Sequence, residues 1–215
     1  MNPVDIAEPL RSRWSPSSFD PTHELTTAEL SRLLEAAQWA PSGGNRQPWR
    51  FFVAPRGSAV HDVLVPHLSR GNSGWVPRAS AVLIATALLA DEGEEPGDPT
   101  FPAYGVGLAA GQVVLQARAM GLHAHQFAGF DHDAVAAALE VPAHAKVLTG
   151  IAVGRRGAPD GMSERDAERD HRERRRLPLA EIAFGARWGE PFPGLQASGP
   201  TVAEVAEAAE DPGGA

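Results

Sequence analysis

The stretch Ala40-Pro-Ser-Gly-Gly-Asn-Arg-Gln-Pro-Trp49 separates two segments of different periodicity, a helix pattern before it and a strand pattern after it. Before it, from Thr26 to Trp39, the apolar residues Leu30, Leu33, Leu34 and Ala37 recur at three- and four-residue spacing, which predicts a helix. Thr26 with Glu29 resembles a capping box at its start. After it, Trp49-Arg-Phe-Phe-Val-Ala54 has the aromatic and β-branched content of a buried strand. Pro41, Gly43 and Gly44 stop the helix and can bring backbone amides close to a flat ligand, while Ser42, Asn45 and Gln47 offer polar groups to the edge of a heterocycle. On composition alone the same residues also read as a plain Gly-rich turn.

Working outward, Ala59 to Leu68 predicts a shorter helix, and the unbroken apolarity of Ala81-Val-Leu-Ile-Ala-Thr86 predicts a strand buried on both faces. Asp91 to Pro102, rich in Glu, Gly and Pro, is expected to be a solvated excursion and a candidate mobile lid. Gly107 to Met120 carries one charge, Arg118, so a helix there is apolar nearly all round and needs partners on several sides, in a core or a dimer interface. Leu122 to Phe127 and Val147 to Val153 predict two more strands, with a short helix from Asp131 to Leu139 between them. Helices interspersed among strands give an α/β or α+β sandwich. Ser163 to Arg176, charged with both signs and lacking a wide apolar stripe, is expected to be a solvated helix or loop. Pro178 to Pro200 predicts an extended arm, and 201–215 an acidic, Ala-rich flexible tail. Residues 1–200 are therefore taken as one domain with its arm.

Composition narrows the function. With 215 residues, 43% apolar and 21% charged, the chain is long enough for one well-cored domain. Its net charge of −8 disfavours nucleic acid and anionic membranes as partners. Lys146 is the single lysine, and no Gly-Lys-Ser/Thr phosphate loop exists, so nucleotide hydrolysis is disfavoured. The absence of cysteine excludes disulfides, thiolate metal sites and cysteine nucleophiles. Met1 to Arg13 has no apolar signal core and no long uncharged apolar run occurs, so a cytoplasmic location is expected.

Several motifs carry less than they promise. Gly105-Val-Gly107-Leu-Ala-Ala110 matches a relaxed dinucleotide fingerprint, but it follows no strand and lacks the acidic residue downstream, so close helix approach explains it better. His123 and His125 share a strand face, with Asp131-His132-Asp133 nearby. Strand histidines are more often hydrogen-bonded packing residues than ligands, and no metal site is assigned. Gly-x-Ser-x-Gly is absent, which leaves a hydrolase without support. Two arginine clusters, Arg11 to Ser15 and Arg174 to Arg176, would form a phosphate pocket if they converged; singly, each reads as surface charge.

Taken together, these segments resemble the FMN-dependent nitroreductase family. Arg13-Trp-Ser-Pro-Ser-Ser-Phe19 is similar to its N-terminal arginine-serine motif, Pro41 to Trp49 to its Pro-Ser-x-x-Asn-x-Gln-Pro-Trp loop, and Asn72-Ser-Gly-Trp75 to its helix-end asparagine. Gln126-Phe-Ala-Gly-Phe-Asp131, Ile151-Ala-Val-Gly154 and Arg174-Arg-Arg-Leu-Pro-Leu-Ala-Glu-Ile182 follow in the same order, over roughly residues 8–192.

The resemblance implies an α+β fold, a three-layer α/β/α sandwich with a mixed, mainly antiparallel sheet and a domain-swapped C-terminal arm. It implies FMN with its phosphate on Arg13, Ser15, Arg174 and Arg176, with Trp14 alongside through its backbone. Asn72 is expected at the pyrimidine edge, and Gln126, Ala128 and Gly129 beside the isoalloxazine. Ser42, Gly43 and Asn45 are expected to complete the site of the opposite subunit in a homodimer. NADH or NADPH would deliver hydride to the flavin N5, and a nitroaromatic, quinone or similar conjugated acceptor would then take it, in ping-pong fashion. No catalytic side chain is nominated. The alternative is a protein that binds or sequesters FMN with little turnover. The resemblance also marks a departure: many relatives carry Arg or Lys where this chain has Ser17, and some carry a cation where it has Trp75, near the flavin N1 and O2. That should lower the reduction potential unless Arg46 or Arg78 substitutes.

Overall fold

The computed structural model describes residues 6–158, 160 and 162–194. These fall into two compact units that part between His171 and Arg172. The core of the first is a sheet of β1 (Trp49–Pro55), β2 (Ala81–Leu88), β3 (His123–Phe127) and β4 (Ala145–Gly154), in the spatial order β1-β2-β4-β3. Every pairing among these strands is antiparallel, so the sheet expected to be mixed is antiparallel throughout the described residues. A bulge in the pairing of β2 with β4 falls between Ala85 and Thr86.

β2 is central, and its side chains alternate between two cores, as strand geometry requires. Leu83, Ala85 and Ala87 pack with Leu33 and Ala37 of α2 (Thr27–Gln38) and with Val106, Ala109, Ala110, Val113 and Ala117 of α4 (Thr100–Ala119). Val82 and Ile84 face the other way, onto Leu64 of α3 (Ala59–Leu64), Trp75, Val76, Phe127, and Val135 of α5 (His132–Ala138). Two helical layers thus cover one sheet, which is the α/β/α sandwich expected. Each fully buried Leu or Ile contributes about 1.5–3 kcal/mol relative to exposure.

Local chemistry sets the element ends. Thr26 caps α2 by accepting from the Glu29 N–H while the Glu29 carboxylate accepts from the Thr26 N–H, at 3.2 and 2.8 Å. α4 begins at Thr100, seven residues before the expected start at Gly107. Pro102 is admissible there because the first-turn N–H it lacks would have no intrahelical partner. The excursion therefore shrinks to Asp91 through Pro99, and Phe101 and Tyr104 become exposed helical residues. A Cβ on Gly105 would lie 2.8 Å from Pro48 Cγ, so this glycine admits the lead-in to β1 rather than another helix.

The charged stretch after Ser163 forms α6 (Glu164–His171), and it is not merely solvated: Asp166 and Asp170 are buried. In the second unit, α7 (Leu179–Ile182) is followed by a bridge from Phe184 to Pro191, with the Gly185 N–H donating to the Glu190 carbonyl at 2.8 Å. The expected extended arm therefore contains a helical turn and a small hairpin. Residues 195–215, including the expected acidic tail, lie outside the described residues. No helix among the described residues is long and apolar enough to cross a membrane.

Candidate functional site

The segment Arg13–Ser18 leaves α1 (Glu8–Ser12) and is held from two sides. From β3, His125 Nδ1 lies 2.9 Å from the Pro16 carbonyl. A carbonyl only accepts, so Nδ1 carries the hydrogen and Nε2 of the neutral ring is unprotonated. Burial, with Arg169 and Arg13 nearby, holds His125 below its ordinary 6.5, which favours that neutral form. Its ring stacks on Trp75 at 4.2 Å. From α6, Asp170 accepts the Ser17 N–H at 2.6 Å and the Ser18 N–H at 2.9 Å, and the Ser18 hydroxyl also donates to it. Pro16, Ser17 and Ser18 are thus tethered in succession. Just ahead of them the Arg13 guanidinium donates to the Ser15 hydroxyl at 3.0 Å.

This segment borders a cleft of about 380 Å³ lined by Leu10, Arg13, Ser15, His125, Gln126 and, from α4, Gly111, Val114 and Leu115. The volume is in the range of small-molecule sites. Gly111 leaves it open: a Cβ there would meet nothing within 4 Å. Arg13 and Ser15 are thereby brought together with Gln126, more than a hundred residues further along the chain.

A second group forms around Asn72. Its Nδ2 donates to the Gly129 carbonyl at 3.0 Å, which also accepts the Ser69 N–H, and its Oδ1 accepts from Trp75 Nε1 at 3.2 Å. Asn72 therefore fixes the backbone at Gly129. A Cβ on Gly129 would sit 2.6 Å from both Asn72 Nδ2 and Ser69 Oγ, so any larger residue would have to displace those two side chains. Ala128, its neighbour, is exposed, and Trp14 is half-buried.

Ser42, Gly43 and Asn45 stand apart from the cleft, in an exposed turn that closes on itself. The Gln47 N–H donates to Ser42 Oγ at 3.0 Å, and Gly44, Asn45 and Gln47 adopt φ of 58°, 56° and 48°. Arg46 is exposed beside them, and Arg78 donates to the Asp160 carbonyl at 3.0 Å. Arg174 and Arg176 belong to the second unit, where Arg176 donates to the Arg175 carbonyl at 2.7 Å. Burial, with Arg118 and Arg156 nearby, also holds His123 below its ordinary value. Among the described residues no cluster of three or more His, Asp or Glu side chains could hold one metal ion.

The nitroreductase family model matches residues 10–73 and 58–155. The chain belongs to the nitroreductase family. A solved structure described as an oxidoreductase containing FMN superposes with a TM-score of 0.78 at 32% identity, covering 87% of this chain and 94% of that one. A 15.4 kDa protein of Mycolicibacterium smegmatis, of uncharacterised function and encoded in the ask 5′ region, is 37% identical over 66% of this chain and 99% of its own. The oxygen-insensitive NAD(P)H nitroreductase of Salmonella typhimurium is 39% identical over 51 residues, 24% of each chain.

The two positions at which a departure from the nitroreductase family is expected, Ser17 and Trp75, are both enclosed. Ser17 is buried with its N–H on Asp170, and Trp75 is wholly buried between Phe19 and His125. A cation could not replace Trp75 without repacking that core. Sequence reasoning missed Asp170, Asp166 and Gly111. The spacing Ser163-x-x-Asp166 was a legible cap, with the Asp166 N–H donating to Ser163 Oγ at 3.2 Å, but nothing local announces where Asp170 is bound.

Proposed function

We propose that this chain is an FMN-dependent oxidoreductase that passes hydride from NADH or NADPH to a nitroaromatic, quinone or similar conjugated acceptor. The supporting observation is the cleft that gathers Arg13, Ser15 and Gln126 beside the space left by Gly111. These residues fit a planar phosphorylated ring: a guanidinium paired with a hydroxyl suits a phosphate, and the glycine leaves room for a flat body.

In this reading Arg13 and Ser15 hold the phosphate, Trp14 adds its backbone, and Arg174 and Arg176 are taken as further phosphate ligands. Asn72 meets the pyrimidine edge and fixes Gly129, so that Gln126, Ala128 and Gly129 border the ring with their backbone set. When bound, FMN supplies the two-electron chemistry, and the protein positions it and limits access of water. Arg13, always protonated, neutralises the phosphate and moves no proton. Neutral His125 steadies Pro16. No side chain is assigned proton transfer.

The exposed Pro41–Gln47 turn, with Ser42, Gly43 and Asn45 outside the cleft, favours a homodimer in which this turn completes the partner's site. Exposed Phe101 and Tyr104 on α4, and exposed Leu179, Ile182 and Trp188 of the second unit, are apolar surface of the kind a partner copy covers. Residues 1–200 then act as one domain whose arm crosses to the partner.

A second reading has its own support. Buried Ser17 and Trp75 put no cation where the resemblance leads one to expect it, in many relatives at the first position and some at the second. The reduced flavin would lose that stabilisation and the protein would hold FMN with little turnover. One experiment separates the two. Anaerobic NADPH, then a quinone, is added to the flavin-loaded protein. Bleaching of the yellow colour followed by sustained NADPH oxidation supports the oxidoreductase, and yellow colour that persists supports the binding protein.

A further inference from the structure

Two successive amides that point at one anion form a concavity of the kind that binds phosphates. At Ser17 and Ser18 that concavity is filled by the protein's own carboxylate, Asp170, supplied from 152 residues away by α6. The bond from the Ser18 hydroxyl adds a third donor. Burying a carboxylate is costly unless its oxygens are satisfied, and here both oxygens are engaged. Helix propensity does not need it: Asp is an indifferent helix former. One turn earlier on the same face, the Asp166 carboxylate lies 3.4 Å from where a Cβ on Gly74 would stand. α6 therefore touches both the Arg13–Ser18 segment and the turn that carries Asn72.

We propose that Asp170 is a positioning residue for the phosphate end of the site. It acts through Ser17 and Ser18 to set the backbone from which Ser15 and Arg13 project. This rests on the flavin reading above. Its consequence is selective: Asp170 governs the advantage of FMN over riboflavin, which has the same ring and no phosphate, rather than the binding of the ring itself.

The test is titration of FMN and riboflavin, separately, into flavin-free parent, Asp170→Ala and Asp170→Asn proteins, with dimer mass and far-ultraviolet circular dichroism measured alongside. The expected result is a roughly ten- to hundredfold loss of FMN affinity in both variants, as for removal of charge-assisted hydrogen bonds, with riboflavin affinity within a few-fold of the parent. Added formate, which can reoccupy the two amides, should recover part of the loss in Asp170→Ala. Equal loss of both flavins, or unchanged FMN affinity, overturns the assignment while leaving the flavin reading intact. A parent that binds neither flavin removes both. Should the Asp170 variants fail to fold, Ser18→Ala deletes one donor and keeps the carboxylate seated. It should then show a smaller loss confined to FMN, and no such loss would overturn the proposal.

Discussion

The two segments expected to meet the flavin are built in opposite ways. Pro16, Ser17 and Ser18 are buried and tied to β3 and α6 by side chains from far along the chain. Ser42 to Gln47 are largely exposed, and their hydrogen bonds stay local, reaching no further than Arg50 in β1. A segment pinned by its own protomer has fixed geometry before any ligand arrives. A self-contained exposed turn with three positive φ angles is suited to presenting backbone outward, to something not part of its own subunit.

The largest effect should come from the pinned segment. Arg13→Ala is expected to weaken FMN binding roughly hundredfold while the apoprotein's unfolding midpoint is unchanged, because a surface-side guanidinium contributes little to folding. Flavin fluorescence titration and thermal unfolding check both halves. Arg176→Ala should likewise reduce FMN retention in an otherwise folded protein, and retention equal to the parent would remove Arg176 as an anchor.

The exposed turn should fail differently. Gly44→Val forces a branched side chain into φ of 58°, a strain of about 1–2 kcal/mol. If the turn serves the partner, the loss appears as weaker dimerisation and weaker flavin binding together. Mixing this variant with Arg13→Ala then restores one intact site per mixed dimer. Absence of recovery on mixing would argue that each subunit builds its site alone.

Acid should distinguish the segments further. Burial lowers the pKa of His61, His123 and His125 from their ordinary 6.5. Their folded values are depressed, so the unfolded chain binds more protons in the window between. The associated stability is full above pH 6.5 and is lost as pH falls through the lower folded values. Unfolding midpoints followed downward from neutral pH should decline from about 6.5, and amide exchange should rise at Ser17 and Ser18, near His125, before it changes in Gly43 to Gln47. His61→Leu should reduce the acid loss, since both ring nitrogens of this buried histidine lack a hydrogen-bond partner.

The smallest effect expected is at Gly111. Replacing this helical glycine by alanine should stabilise the apoprotein by about 0.5–1 kcal/mol, since a Cβ there meets nothing. It should also weaken FMN binding a few-fold by narrowing the cleft. A gain in stability with no loss of affinity would show that the open space is not used by the ligand.

What the sequence made legible was what local rules govern. The capping box at Thr26 and Glu29 placed α2, and the unbroken apolarity of Ala81 to Thr86 placed the central strand. The ordered motifs named Arg13, Ser15 and Gln126, which the fold gathers in one cleft, and Asn72 and Gly129, which it joins by a hydrogen bond. The start of α4 was misplaced because Pro102 resembles a loop residue until its first-turn position is known. Asp170 was invisible for a stronger reason. Its carboxylate lies in a charged helix that looks solvated, and the amides that bind it belong to a segment 152 residues earlier. The pairing of His125 with the Pro16 carbonyl was likewise a long-range fact.

One titration tests the site most directly: FMN is added to flavin-free protein and its fluorescence is followed. Saturable quenching at one FMN per chain, much tighter than for riboflavin, is the predicted result. FMN fluorescence that stays unquenched, or flavins bound alike with and without phosphate, would contradict the site built around Arg13 and Ser15.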